Sequence, residues 1–348
     1  MIDAHEPRLT SLAHGGGCGC KLAPNVLSEI LAGMPTGPMP KDLLVDAATS
    51  DDAAVWRVSD ETAIVATTDF FMPVVDDPFD FGRIAATNAI SDIYAMGARP
   101  IFSLALVGMP VGRIGTATIR KILDGGRSVS EKAGAPVAGG HSIDSVEPIY
   151  GLVALGIVHP KKILRNCDAR PGDVLLLGKP LGIGIFSAAL KKEILPREDY
   201  AAMIASTTRL NAPGAELSSI AGVHAVTDVT GFGLLGHLAE VCRGSGVAAR
   251  IRRAEIPVFA GARRLAKDGV RTGASPRNWA SVAAIIDPPA DWSEADRDIL
   301  CDPQTSGGLL VSCAPESVDD VLALFRRHGH DAAAIGEIGA GTPKISVV

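Results

Sequence analysis

Strand-like and helix-like segments alternate along the chain without settling into a strict βα repeat, which predicts an α+β protein of mixed β-sheets with helices packed on one face. The length of 348 residues predicts about two domains, each large enough to bury its own core. A shift of composition places the boundary: Lys161, Lys162, Arg165 and Arg170 accumulate between Pro160 and Arg170, just before Pro171-Gly172. The expected division is an N-terminal arm and linker over 1–48, a first domain over 49–159 and a second over 171–348.

The first recognisable segment is His14-Gly15-Gly16-Gly17-Cys18-Gly19-Cys20-Lys21. Four glycines between positions 15 and 20 lose much conformational entropy on ordering, so a flexible catalytic arm is expected here; a plain disordered tail is the other meaning of such a stretch. The arm carries two thiols and an ammonium. A cation at Lys21 would favour the thiolate of a neighbouring cysteine and could hold a phosphate as a point charge. It is not a P-loop, because Leu22 follows Lys21 where that motif needs Ser or Thr.

A short helical pattern over Pro24 to Leu31 and a Pro/Gly-rich linker over Gly33 to Met39 lead to two β-rich segments, Ala53 to Val58 and Thr62 to Thr68. A long helix is predicted from Phe79 to Met96, because Phe81, Ile84, Ala85, Ala89 and Ile93 recur on one helical face. A strand at Ile101 to Val107, a helix from Thr116 to Ala133, and strands at Pro136 to Ala138 and Ile149 to Val158 complete the first domain. The second opens on a strand at Asp173 to Gly178. It closes on a strand pair at Ala333 to Ile338 and Lys344 to Val348. No fixed-period repeat is present.

Composition excludes several classes. A formal net charge of −6 lacks the basic face of a general nucleic-acid binder, and 4% aromatics leave little for base stacking. No stretch approaches ~20 uninterrupted apolar residues, and the start has no basic, apolar leader, so an unexported cytoplasmic protein is expected. Six cysteines at 18, 20, 167, 242, 301 and 313 are too scattered for a disulfide framework, which fits a reducing compartment, and Cys18-Gly19-Cys20 alone does not make a structural zinc site.

The placement of aspartates is the most informative pattern. Asp69 closes the apolar run Ile64 to Thr68, Asp92 lies in the uncharged stretch 85–98, Asp228 has no charged neighbour between Glu216 and Glu240, and Asp51-Asp52 precedes Ala53-Ala54-Val55. One such aspartate reads as a cap or turn former. Four such sites in one chain point to a metal and phosphate site, because a desolvated carboxylate needs a cation and converging carboxylates repel. Oxygen ligands select Mg²⁺, Mn²⁺ or Ca²⁺. Asn88 and Asp92, four apart on the long helix, can address one ligand. Gly139-Gly140-His141-Ser142 follows a strand, as a plain turn or a close approach to a ligand. Gly231-Phe232-Gly233-Leu234-Leu235-Gly236 matches the dinucleotide fingerprint by letter but lacks its βαβ context, and reads as a tight helix start near Asp228.

Taken together, these motifs resemble the selenophosphate synthetase (selenide, water dikinase) family. The resemblance runs through Leu9-Thr10-Ser11 and the Gly-Cys-Gly-Cys-Lys arm, Asp51 to Val55, Thr67 to Phe71, Arg83 to Asp92, Gly139 to Asp144, Thr227 to Gly233 and Asp302 to Gly308. It covers nearly the whole chain. The aspartate motifs are shared with the wider aminoimidazole-ribonucleotide-synthetase-like superfamily, whereas the Cys-Gly-Cys-Lys arm is specific to the selenium branch. The resemblance implies a two-domain fold of that superfamily and ATP-dependent phosphorylation of selenide to selenophosphate, phosphate and AMP, supplying selenium for selenocysteine and selenouridine. By the same resemblance Cys18 would handle selenium and Lys21 the ATP phosphates. Asp52, Asp92 and Asp228 would ligate Mg²⁺, with Asp69, Asp92 and the Thr49-Ser50-Asp51 segment at the nucleotide. Gly140, His141 and Ser142 would reach ATP bound mainly by the other subunit of a homodimer. A superfamily relative with another acceptor would not need the thiol arm. A selenium or metal carrier would leave the aspartates unexplained.

Overall fold

The computed structural model describes residues 6–22, 26, 29–30, 39–46 and 51–348. Most of the helix expected over Pro24 to Leu31, and of the linker after it, lies outside the described residues.

The first sheet has six described strands, β1 (Leu43–Val45), β2 (Ala54–Arg57), β3 (Ala63–Phe71), β4 (Arg99–Met109), β5 (Val137–Asp144) and β6 (Ile149–Val158), in the order β1-β2-β3-β6-β4-β5. Only β4 and β5 run parallel; the other neighbours are antiparallel. Two helices cover one face, α1 (Pro78–Ala95) and α2 (Thr116–Lys132). Helix α1 begins where Asp77 accepts the Asp80 N–H at 2.8 Å, with Pro78 at the first helical position. Its predicted apolar stripe, Phe81, Ile84, Ala85, Ala89 and Ile93, is buried throughout. The two helices meet closely because glycines line the crossing: a Cβ on Gly82 would lie 1.9 Å from the Ile122 carbonyl oxygen.

The other face of this sheet carries a row of apolar side chains. Register places Ile64, Phe70, Leu104, Val153 and Leu155 together on it, and Phe70 is half exposed.

Two strand expectations are corrected. The Gly139-Gly140-His141-Ser142 turn is part of edge strand β5, which continues to Asp144. Glycine is required there for packing, since a Cβ on Gly140 would sit 2.1 Å from the Ala105 carbonyl oxygen on β4. Strand β3 extends past Thr68, so Asp69 lies within a strand and is no turn former.

The second sheet has β7 (Val174–Leu177), β8 (Val223–Asp228), β9 (Ala248–Ile251), β10 (Ile286–Asp287), β11 (Leu309–Cys313), β12 (Ala333–Gly339) and β13 (Ile345–Val347), ordered β10-β13-β9-β12-β7-β11-β8. The expected C-terminal strand pair does not form: β9 separates β12 from β13 and hydrogen-bonds to both. Helices α3 (Ile183–Lys191), α4 (Arg197–Thr207), α5 (Gly214–Leu217), α6 (Gly233–Ser245), α7 (Ala260–Lys267), α8 (Ala274–Val282), α9 (Glu294–Leu300) and α10 (Val318–Arg327) complete it. Gly233, at φ +71°, starts α6 with no side-chain cap from Asp228, so that aspartate is left free for another role.

Helix α1 is shared between the two halves. Asn211 Nδ2 donates to Ser91 Oγ at 2.8 Å, and Ser306 Oγ donates to the Ile84 carbonyl at 3.0 Å. The sequence-remote carboxylates of both halves therefore meet along one helix.

Candidate active site

The glycine arm is seated between the halves. Gly17–Cys20 forms one 3₁₀ turn, and Cys18 is buried. The entropy lost by the glycines is offset by specific contacts: the Gly17 N–H donates to the Met72 carbonyl at 2.9 Å, and the Cys18 N–H to Thr305 Oγ1 at 3.0 Å. Gly17 sits at φ +54°, and a Cβ there would lie 2.1 Å from Thr305 Oγ1, so no other residue fits without displacing the arm.

Around this turn the polar groups form a continuous chain. Cys18 Sγ donates to Asn88 Oδ1 at 3.1 Å, and Asn88 Nδ2 donates to Asp69. Asp69 in turn faces Lys21, with Nζ 3.7 Å from Oδ2. The Ser306 N–H donates to Asn88 Oδ1 at 2.7 Å, fixing the amide from the second half. Asn88 thus serves the thiol and Asp69 rather than sharing a metal with Asp92.

Beyond Asp69, one carboxylate oxygen from each of Asp52, Asp92 and Asp228 lies within 4.8 Å of the others. Thr67 Oγ1 donates to Asp92 at 2.5 Å and Thr227 Oγ1 to Asp52 at 2.9 Å, aiming both carboxylates inward. Asp52 Oδ2 and Asp228 Oδ2 are buried with no hydrogen-bond partner. Two orphaned carboxylate oxygens in a triad of like charge are what a bound divalent cation would satisfy, and the donor set is all oxygen, as Mg²⁺ prefers.

The electrostatics follow. Burial, and then mutual repulsion, push the Asp52 and Asp92 carboxyls well above the ordinary range. Burial also raises Asp228, against the pull of Ser91, His237 and Lys21. Asp69 is the main reason Lys21 holds its proton more tightly than an ordinary lysine. The thiolate expectation for Cys18 is corrected: burial and the Asp69 charge raise its thiol strongly, and Lys21 offsets only part, so Cys18 is a thiol in this arrangement.

The remaining sequence candidates are placed as follows. Asp51 accepts the Asn166 N–H at 2.8 Å. Thr49 and Ser50 lie outside the described residues. Gly140, His141 and Ser142 are not brought to the arm; they line a separate cavity between β5 and α2. Sequence reasoning gave no role to Thr67, Thr227, Thr305 or Ser306. It also gave none to Lys179, whose buried ammonium donates to the Ser306 carbonyl at 2.9 Å and the Arg209 carbonyl at 2.7 Å. The recurrence of Asp302 to Gly308 among the matching motifs was the one available pointer to the serine and threonine.

Comparison with known proteins places the whole chain. The AIR synthase related protein family matches through its N-terminal domain at residues 50–158 and its C-terminal domain at 170–348. The chain is 61% identical over 348 residues to the selenide, water dikinase of Burkholderia pseudomallei, covering 100% of this chain and 98% of that one. It is 55% identical to the selenide, water dikinase of Rhizobium meliloti, covering 98% of each. Among solved structures, thiamine-monophosphate kinase from Stenotrophomonas maltophilia superposes with a TM-score of 0.65 at 22% identity, over 88% of this chain and 91% of that one. The HypE-HypF complex gives 0.68 at 18% identity, over 93% of this chain and 95% of that one. These structures share the fold.

Proposed function

The chain belongs to the selenide, water dikinase family of AIR synthase related proteins, and from that premise we propose that the Cys18 arm and the Asp52–Asp92–Asp228 triad form the site at which ATP phosphorylates selenide. The enzyme converts ATP, selenide and water to selenophosphate, phosphate and AMP. The observation that carries the site is the unbroken chain Cys18–Asn88–Asp69–Lys21, which ties a soft sulfur and a cation to the strand and helix that present the carboxylates.

Phosphoryl transfer needs alignment and charge neutralisation more than covalent chemistry from the protein. Lys21, held by Asp69, would bind phosphate oxygens as a point charge. Asp52, Asp92 and Asp228 would hold Mg²⁺, which neutralises the phosphates and relieves the repulsion within the triad. Asp69, Asp92 and the Thr49-Ser50-Asp51 segment would flank the nucleotide. Cys18, a neutral thiol against Asn88, is the soft group that meets selenium. One phosphoryl of ATP passes to selenium, forming the P–Se bond as its P–O bond breaks, and another passes to water, leaving AMP and phosphate. The seated arm keeps Cys18 away from bulk water.

The apolar outer face of the first sheet supports a homodimer, in which Gly140, His141 and Ser142 on edge strand β5 would reach the partner's nucleotide. Six free thiols suit a reducing cytoplasm, and among the described residues no helix is long and apolar enough to cross a membrane. The test is nucleotide chromatography after incubation with ATP, Mg²⁺ and anaerobic selenide. AMP should accumulate only when selenide is present. Selenide-independent turnover that stops at ADP would refute the reading.

A further inference from the structure

The arm has a second side. Away from Asp69, Gly19 and Cys20 border a cavity of about 450 Å³ between the arm and helices α3 and α8 of the second half. Its lining includes Lys191, Lys192, Arg271 and Arg277 and no carboxylate. Arg271 is paired with Glu294 and Asp298 outside the lining. Among the described residues the other three cations make no ion pair: Lys191 Nζ donates to the Ala13 carbonyl at 2.9 Å, and Arg277 reaches the Gly19 carbonyl at 3.4 Å. The cavity lining therefore carries an excess of positive charge, offset in part by Glu147, which interacts with Lys191 from outside it, in a chain whose net charge is −6.

His14 and Cys20 are shared between this cavity and a second one of about 420 Å³, which is lined by Lys21 and Asp69 on the reaction side. His14 is held at this junction by Glu147, with Nδ1 2.9 Å from Oε2. Cys20, whose Sγ donates to the Gly17 carbonyl at 2.9 Å, lines both cavities.

Resting on the selenide reading above, we propose that the basic cavity is the collecting site for the selenium substrate, binding hydroselenide as a small soft anion beside Cys20 before it passes to Cys18 and Lys21. The physical case is separation of two negative substrates. The nucleotide side must gather triphosphate around Lys21 and the carboxylates. An anion arriving by that route would cross the field of Asp69 and of the phosphates, whereas the cavity behind the arm offers an approach lined with cations, which raises the local concentration of an anion and its rate of entry. No bond is made or broken in this step. The anion exchanges water for guanidinium and ammonium donors and for a polarisable thiol neighbour.

The test reverses charge at exposed positions, with Lys192→Glu and Arg277→Glu combined and Lys267→Glu, on the exposed last turn of α7, as the remote control. In the double variant the KM for hydroselenide should rise about tenfold, with the KM for ATP unmoved and the control behaving as the unsubstituted protein. A second readout needs no turnover. Alkylation of Cys20, located by mass spectrometry, is timed with anionic iodoacetate and with neutral iodoacetamide at one pH, so that the thiol's own ionisation cancels from the ratio. The iodoacetate preference should be present in the unsubstituted protein and lost in the double variant. Unchanged selenide KM and unchanged ratio would overturn the proposal, and so would a parallel rise in the KM for ATP, which would assign the cavity to the nucleotide. If no selenide-dependent AMP forms at all, the dikinase reading fails, and the alkylation ratio still decides whether the cavity gathers anions.

Discussion

At the scale of single residues, the site gathers carboxylates that the protein's own groups leave partly unpaired. Asp52 and Asp92 are pushed up by burial and then by Asp228, and Asp228 itself by burial. Replacing Asp228 with Asn should therefore stabilise the EDTA-treated protein, by about 2–4 °C in Tm for each kcal/mol of repulsion removed, while abolishing the stabilisation that added Mg²⁺ gives the unsubstituted chain. A lower Tm in EDTA would show that the triad is not under repulsion. Two further buried groups set a pH dependence. Burial raises Asp302 to about 8 from its ordinary 3.8, so across that window the native protein keeps a proton the unfolded chain has lost, and stability falls as pH rises. Burial lowers Lys179 to about 7 from 10.5, so above 7 the unfolded chain holds the extra proton and stability rises with pH. Thermal midpoints in EDTA should show Asp302→Asn flattening the fall towards pH 8 and Lys179→Met removing the rise above it; profiles parallel to the unsubstituted chain's would contradict both assignments. Of these groups, the aspartates were legible in the sequence because a lone carboxylate among apolar neighbours has no solvation role. Asn88 was legible as a ligand-facing partner of Asp92 but not as the bridge between the thiol and Asp69; Thr305 and Ser306 were not, since a neutral polar residue in an apolar run looks like any satisfied core residue. Nor was the protonation of Cys18 legible. The effect of Lys21 is local and visible, while the burial that outweighs it comes in part from a residue 287 positions away, as the Cys18–Thr305 bond shows.

At the scale of elements, α1 is the part on which the site depends. It carries Asn88 and Asp92 towards β3, receives Ser306 from the second half, and rests on α2 through glycines that allow backbone contact. Gly82→Ala would drive a methyl into the Ile122 carbonyl and force the two helices apart. A loss of about 1–3 kcal/mol in urea denaturation is expected, with weakened ATP binding because Asn88 and Asp92 shift together; unaltered stability would mean the crossing is looser than its geometry. The helix itself was legible from its apolar stripe, to within one residue at each end. Strand β5 was legible only at its start, Pro136 to Ala138, because paired glycines carry the signature of a turn, and only the neighbouring backbone of β4 makes them a strand requirement. The separation of β12 from β13 by β9 escaped local reading for a similar reason. Strand neighbours 80 or more residues apart leave no periodicity in the chain.

For the whole molecule, one face of the first sheet is a half-buried apolar surface that, among the described residues, has no helix packed on it. Phe70 is 50% exposed there, on the same face as Leu104, Val153 and Leu155. A patch of this kind marks an interface. The proposed homodimer predicts that Leu104→Glu, at the centre of the row, converts a dimer to a monomer in light scattering with its thermal unfolding still cooperative. A monomeric unsubstituted protein would remove the basis for a shared nucleotide site. Two halves were legible from length and composition. That both deliver carboxylates to one helix was not, because it depends on how the halves dock.

The central claim is that the thiol arm and the carboxylate triad form one phosphoryl-transfer site for selenium. Phosphorus NMR with ATP, Mg²⁺ and anaerobic ⁷⁷Se-enriched selenide tests it most directly, on the unsubstituted protein and on Cys18→Ser. The account predicts a new phosphorus resonance split by ⁷⁷Se in the first sample and its absence in the second. An undiminished split resonance from Cys18→Ser, or none from either sample, would contradict it.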